Sequence, residues 1–316
     1  MKIAFVGKGG AGKTTTSTLF SQFYSKTHRS LAIDADINMH MAELFGIEKT
    51  PTTLLLSEKA PSDAIRTYLR GSNSRITSNA AFKKSTPPGQ GSHIISLTNP
   101  DDWFMQTFSR SVTDTLSLAT VGSYSEDGLA SSCYHNNLAI LENVLSHTND
   151  DGTVIVDMVA GTDAFASTLY AQFDVLVFVV EPTKRGLAVL EDYLRLAEAG
   201  GVADRVLVMV NKVDDEDDEL FVSERFGDRY VGALSRSKHL AAVDKGRESL
   251  NVDSMSEADN ATLAAIADRA ERLAIPAQKR LPKLWDIHEV YVGQGYVKDR
   301  FGDLTTQIDR HFTYEQ

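Results

Sequence analysis

The chain has 316 residues, 42% of them hydrophobic, enough to bury one sizeable core or a core with a modest appendage. Its 32 Lys and Arg against 43 Asp and Glu leave a formal charge of −11, which argues against nucleic acid or an anionic membrane as the main partner, because both reward a basic face. One cysteine excludes an intramolecular disulfide, and no apolar run approaches the roughly 18 residues of a membrane span, so a soluble, cytoplasmic protein is expected.

Residues 1–6 are too short, and too soon followed by glycine, for a signal peptide and read as a strand. Leu19 and Phe23 then keep a helical interval, and Leu31-Ala32-Ile33 forms a second, weaker strand. Residues 61–69 read as a helix. Residues 72–92 are polar and carry Pro87-Pro88-Gly89 with Gly91, which predicts an irregular insertion over about 70–112. A weak strand at 116–119 is followed by Leu138, Leu141 and Leu145 at helical spacing, a strand at 154–156 and another at 175–180. Leu187, Leu190, Leu194 and Ala197 repeat the helical pattern ahead of a strand at 206–210. The stronger strands are continuous and β-branched rather than alternating, as in parallel strands buried on both faces. Strand and helix in turn predict an α/β fold: a doubly wound, mostly parallel sheet with helices on both faces.

The acidic run at 214–219 reads as a solvated loop rather than a metal site. Arg269, Arg272, Lys279, Arg280 and Lys283 form a basic cluster. Val297, Phe301, Leu304, Ile308 and Phe312 make a helical stripe whose polar face mixes both signs of charge, which suits packing on the body better than lying on a membrane. The organisation expected is one domain over 1–316, with the insertion at about 70–112 and a C-terminal helical extension over about 255–316.

Gly7-Lys8-Gly9-Gly10-Ala11-Gly12-Lys13-Thr14 fits the Walker A pattern G-x-x-x-x-G-K-[ST], with a buried strand before it and an amphipathic helix after. Such a loop turns consecutive backbone N–H groups onto phosphate oxygens, here assigned to Gly9, Gly10, Ala11, Gly12, Lys13, Thr14 and Thr15. The helix N-terminus adds favourable potential, Lys13 neutralises the β and γ groups, and the Thr14 hydroxyl serves Mg²⁺. A nucleoside triphosphatase with a P-loop is therefore expected.

Lys8, two places after Ile3-Ala4-Phe5-Val6, makes the loop resemble the deviant Walker A of MinD/ParA-type ATPases. In that family this lysine reaches across a nucleotide-bridged homodimer to the partner's phosphates; the alternative is an exposed loop lysine. By the same likeness Asp36 orients the attacking water and Asp34 supports the Mg²⁺ shell, while capping of the helix after Asn38 is the other reading of both. Asp157 and Gly161 fall where the Walker B aspartate and switch II glycine stand, for a Mg²⁺-bound water and the γ-phosphate respectively. Asp157-Met158-Val159-Ala160-Gly161, with Glu181-Pro182-Thr183 after the next strand, is most similar to the CooC-type ATPases that mature carbon monoxide dehydrogenase. The likeness covers the P-loop, both switches and about 115–250.

Asn211-Lys212-Val213-Asp214 sits where P-loop proteins recognise the base, so Asn211 and Lys212, with Glu181 and Pro182, are assigned to nucleotide binding. The same four residues spell the N-K-x-D by which GTPases select guanine; Asn-Lys alone is common in MinD-like ATPases, and Lys8 favours ATP over GTP. Cys133-Tyr134-His135 stands where CooC-type proteins carry Cys-x-Cys, contributed by both subunits to a metal site, so Cys133 and His135 are candidate Zn²⁺ or Ni²⁺ ligands at a dimer interface. A buried cysteine beside a capping histidine is the alternative. A single cysteine does not furnish the paired ligands of the nitrogenase iron protein's cluster, nor the Cys-x-x-Cys of tail-anchored-protein targeting factors. The resemblance implies an ATP- and Mg²⁺-dependent dimerising switch serving a client protein, a metalloenzyme by the CooC likeness. Two rivals are a partition or division-site ATPase that cycles on a surface and a metallochaperone-type GTPase.

Overall fold

The computed structural model describes residues 1–123, 135–162, 165 and 168–314, with nothing said of the side chains of residues 135 and 136. Eight strands form one sheet: β1 (Lys2–Val6), β2 (Ser30–Ala35), β3 (Arg110–Ser111), β4 (Leu116–Thr120), β5 (Thr153–Met158), β6 (Val175–Val180), β7 (Val206–Val213) and β8 (Tyr230–Ser235). Their order is β3-β4-β2-β5-β1-β6-β7-β8, and every pairing is parallel except that of the two-residue edge strand β3 with β4. β1, which leads into the P-loop, therefore lies near the centre, flanked by β5 and β6.

Side chains alternate between two cores, as the two-residue period of a strand requires. Ala4 and Val6 of β1, with Leu176, Phe178 and Val180 of β6, face one side. There they meet α3 (Lys59–Arg70), α5 (His135–Ser146) and α6 (Lys184–Ala199) through Ile65, Leu141 and Leu190. Ile3 and Phe5, with Val175, Val177 and Val179, face the other side, packed on α1 (Lys13–Tyr24) and α9 (Glu257–Leu273) through Leu19, Phe20, Leu263 and Ile266. Burial on both faces is the cause of the unbroken apolar runs in the sequence. The remaining helices are α2 (Met41–Leu44), α4 (Trp103–Phe108), α7 (Glu216–Phe226), α8 (Lys238–Val243), α10 (Ala277–Val292) and α11 (Gly295–Phe301).

Three expectations are corrected. The acidic run does not stay in a loop. Asp215 caps α7 by accepting from the Asp218 N–H at 3.1 Å, and the acids of the first turn sit where the helix dipole favours negative charge. The terminal stripe is not one helix. α11 ends at Phe301, Gly302 takes a left-handed φ of 76°, and only a short 3₁₀ turn at Thr305–Gln307 follows. Its apolar residues are buried all the same, Val297 and Leu304 beside Ala81 and Val292, and Phe312 beside Leu281 and Trp285. The basic cluster is not all surface. Arg280 is 4% exposed and joins Asp150 and Asp174, tying α10 to the amino-terminal ends of the strands.

Among the described residues no helix is long and apolar enough to cross a membrane. The stretch before β3 is largely irregular, but its backbone is anchored. The Asn143 amide donates to the Lys83 and Lys84 carbonyls at 2.8 and 3.1 Å, and the Thr86 hydroxyl donates to Gln307 at 2.9 Å.

Candidate functional site

The P-loop leaves β1 at its carboxyl end and enters α1 through Gly12, whose φ of 91° is left-handed. A Cβ there would stand 2.1 Å from the Asn211 amide nitrogen, so conformation and space both call for glycine. The loop is braced from several directions. The Ala11 N–H and the Lys13 ammonium donate to the Lys8 carbonyl at 3.2 and 3.3 Å, and the Asn211 amide donates to the Ala11 carbonyl at 2.7 Å. Lys212, itself at a left-handed φ of 65°, donates from its ammonium to the Gly10 carbonyl and to Glu181, each at 2.5 Å. Glu181 and Lys212 thus form a strut under the loop, a role that sequence position alone did not distinguish from contact with nucleotide.

Parallel register places Asp34 of β2 directly beside Asp157 of β5. Asp34 accepts from the Asp36 N–H at 3.2 Å and the Met41 N–H at 2.9 Å, so its carboxylate shapes the turn into α2. Burial pushes its carboxyl up to about 7, against the pull of those two N–H groups. Asp157 is fully buried, and neither of its oxygens has a hydrogen-bond partner among the described residues. Burial first, and then the charge of Asp34, raise its carboxyl well above the ordinary carboxylate range; the Lys13 ammonium pulls the other way. Lys13 is itself nearly buried, and burial lowers its pKa against the attraction of Asp157 and Asp36. Asp36 is half-buried and accepts from the Asn38 backbone and side-chain amides, each at 2.9 Å.

A cavity of about 520 Å³ opens over this floor. Gly9, Gly10, Gly12, Lys13, Thr14, Thr15, Asp36, Asn211 and Lys212 line it, together with Ser235, Arg236, Ser237, Leu240, Ala241 and Asp244 from the end of β8 and from α8. Sequence reasoning missed this second group, which carries no motif and follows a strand interrupted by Gly232. Ala11, Gly161, Glu181 and Pro182 are not among the lining residues. The Gly161 N–H donates to the Gly7 carbonyl at 3.0 Å, bridging the P-loop to the segment after β5. Asp214 is not among the lining residues either, but it pairs at 3.1 Å with Arg236, which is. The Lys8 side chain is exposed and is not among the lining residues. Cys133 and the His135 side chain lie outside the described residues.

This cavity suits a Mg²⁺–triphosphate. Thr14, which lines it, presents a hydroxyl, and Asp157, buried and not itself a lining residue, has unpartnered oxygens that a water of the cation's shell would satisfy. Among the described residues no three His, Cys, Asp or Glu side chains gather into a metal cage.

Comparison with known proteins agrees with this geometry. The profile of the CbiA family, the CobQ/CobB/MinD/ParA nucleotide binding domain, matches residues 3–250. An uncharacterized ATP-binding protein of Methanocaldococcus jannaschii is 27% identical over 260 residues, 80% of this chain and 92% of its own. The carbon monoxide dehydrogenase accessory protein CooC of Rhodospirillum rubrum is 26% identical over 250 residues, 78% of this chain and 87% of its own. Among solved structures, a plasmid partition protein of Borrelia burgdorferi bound to AMPPNP superposes with a TM-score of 0.56 at 14% identity, covering 85% of this chain and 98% of its own. A chain of the MinC:MinD cell division protein complex of Aquifex aeolicus does so with a TM-score of 0.54 at 16% identity, covering 87% and 97%. The family match over most of the chain, on a fold of the same kind, makes this protein a P-loop ATPase of the CobQ/CobB/MinD/ParA nucleotide-binding family.

Proposed function

We propose that this ATPase is a cytoplasmic switch that closes into a homodimer around Mg²⁺-ATP and opens on hydrolysis. The observation that carries the reading is the divided role of Lys8. Its carbonyl is fixed inside the loop by Ala11 and Lys13, while its side chain stands exposed, available to a second copy. Within one chain, the backbone amides of Gly9 to Thr15 would hold the phosphates and Lys13 would offset their charge. Asp36, on the cavity wall, would orient the attacking water. Bound Mg²⁺, attached through Thr14 with Asp157 behind it, would supply electrostatic stabilisation of the charge that develops on the phosphates.

ATP is favoured over GTP because Asp214, the residue that would read guanine, is paired with Arg236 and lies off the cavity wall. The surface-cycling alternative loses support from the burial of Arg280, which removes one cation from its basic cluster. The likeness to CooC supports a client that is a metalloenzyme, with Cys133 and His135 as candidate Zn²⁺ or Ni²⁺ ligands shared between two chains.

Light scattering on parent and Lys8→Ala protein, with and without ATP, tests the switch. The parent should dimerise with ATP, and Lys8→Ala should bind ATP yet remain monomeric. A Lys8→Ala protein that dimerises like the parent removes the reading.

A further inference from the structure

Away from the nucleotide site, two hollows of about 570 and 500 Å³ meet along a ridge formed by Lys84, Tyr291 and Tyr296, which line both. Arg66 and Lys83 line the first and Lys283 the second, against one carboxylate in each, Asp63 and Asp286. Among the described lining residues four cations face two acids, the reverse of a chain whose formal charge is −11. Among the described residues none of these four cations has an ion-pair partner within 4 Å. Two of them stand over rings instead: the Lys83 ammonium is 2.9 Å from the Phe301 centroid, and that of Lys84 is 5.2 Å from the Tyr291 centroid. Partial burial, and then the charges of Arg300 and Arg66, lower Lys83 to about 8.

The rim is apolar. Val290 and Tyr296 are 73% and 65% exposed, the highest values among the large hydrophobic residues described. Cations beside exposed apolar groups complement a peptide that carries carboxylates and a hydrophobic side chain. α10 and α11, which supply one side of the cleft, lie beyond residue 250, where the family match ends. Its far wall is Thr168, whose N–H donates to the buried Glu142 at 3.2 Å and which follows Gly161 by a few residues.

We propose that this cleft docks an acidic peptide segment of a partner protein, its carboxylates on Arg66, Lys83, Lys84 and Lys283 and an apolar side chain against Val290 and Tyr296. The inference rests on the reading that the ATPase serves a client, but not on dimerisation, which Lys8→Ala tests separately. The full chain is titrated against a fluorescein-labelled peptide of glutamates with one central phenylalanine, followed by anisotropy. A peptide with serine in place of glutamate is the control. Parent protein should bind the acidic peptide and not the serine peptide. Lys84→Glu/Lys283→Glu should weaken binding at least about tenfold while leaving ATP hydrolysis unchanged. Lys279→Glu, exposed on the same helix but outside the cleft, should bind like the parent. Equal binding of the two peptides, or equal binding by parent and double variant, overturns the proposal. So does displacement of the peptide by inorganic phosphate at equal concentration, which would make the cleft a small-anion site.

Discussion

Arg280 is the most demanding test of how the C-terminal helices are attached. Its guanidinium reaches Asp174, the Ile275 carbonyl at 2.8 Å and Asp150 at 2.8 Å, with only 4% of the residue exposed. Asp174, fully buried, also accepts from the Lys2 N–H at 2.8 Å, so one carboxylate joins the start of β1 to α10. Arg280→Met preserves most of the packing volume and strands that charge. Removing one partner of a buried pair costs about 3–5 kcal/mol. The Asp150 half is a third exposed and contributes less, so the lower end, ~3 kcal/mol, is expected here. For a chain of 316 residues that is a fall in Tm of roughly 4–5 °C. Urea titration measures it, and hydrogen exchange should show the amides of α10 losing protection first. Adding Asp174→Asn should recover part of the loss, because the stranded charge is then gone. ATP binding to the folded variant should persist, since the cradle lies at the other end of the strands. A loss under about 0.5 kcal/mol would refute the view that this cluster anchors α10.

Asp36→Ala should still bind ATP and accumulate as a closed dimer, with hydrolysis reduced at least about a hundredfold; turnover at the parental rate would remove Asp36 from the mechanism. Glu142, buried on α5, has its carboxyl pushed up to about 7 by burial. A carboxyl that binds its proton more tightly in the folded state loses stability as pH rises from its ordinary 4.5 through 7, by up to ~3 kcal/mol. Glu142→Gln escapes that loss, so its stability relative to the parent should grow between pH 5 and pH 8 in paired urea titrations; a difference independent of pH would refute the assignment. Zn²⁺ should bind at one ion per two chains, more weakly as pH falls through the histidine range, and Cys133→Ser should abolish it without affecting ATP binding. Equal uptake by parent and Cys133→Ser in equilibrium dialysis would exclude the shared site.

The central sheet was legible because its strands are buried on both faces, and double burial writes itself into sequence as unbroken runs such as residues 175–180. β8 was not, because Tyr230, Gly232 and Ala233 are only half-buried and no apolar run survives there. The phosphate cradle was legible because backbone geometry dictates its glycines. The cavity wall from Ser235 to Asp244 was not, because it depends on where β8 ends in space rather than on any local pattern. The terminal stripe misled for a related reason. Val297, Leu304 and Phe312 do face the interior, but spacing records burial and not the backbone between, where Gly302 breaks the helix. Arg280 misled in the opposite direction, since its two acids lie more than 100 residues away in sequence.

The hydrogen bond from the Gly161 N–H to the Gly7 carbonyl has a consequence for timing. One amide proton serves one acceptor well, so a phosphate oxygen that recruits this N–H must first take it from Gly7. The contest is local, since Gly7 ends the very strand that feeds the cradle. Occupancy of the last phosphate position would then be registered as a trade between two oxygens, with the loop's first carbonyl released in step with the arrival of the ligand. Substrate and product would differ in whether that trade is made, which gives the segment after β5 a way to tell a triphosphate from a diphosphate without a dedicated side chain.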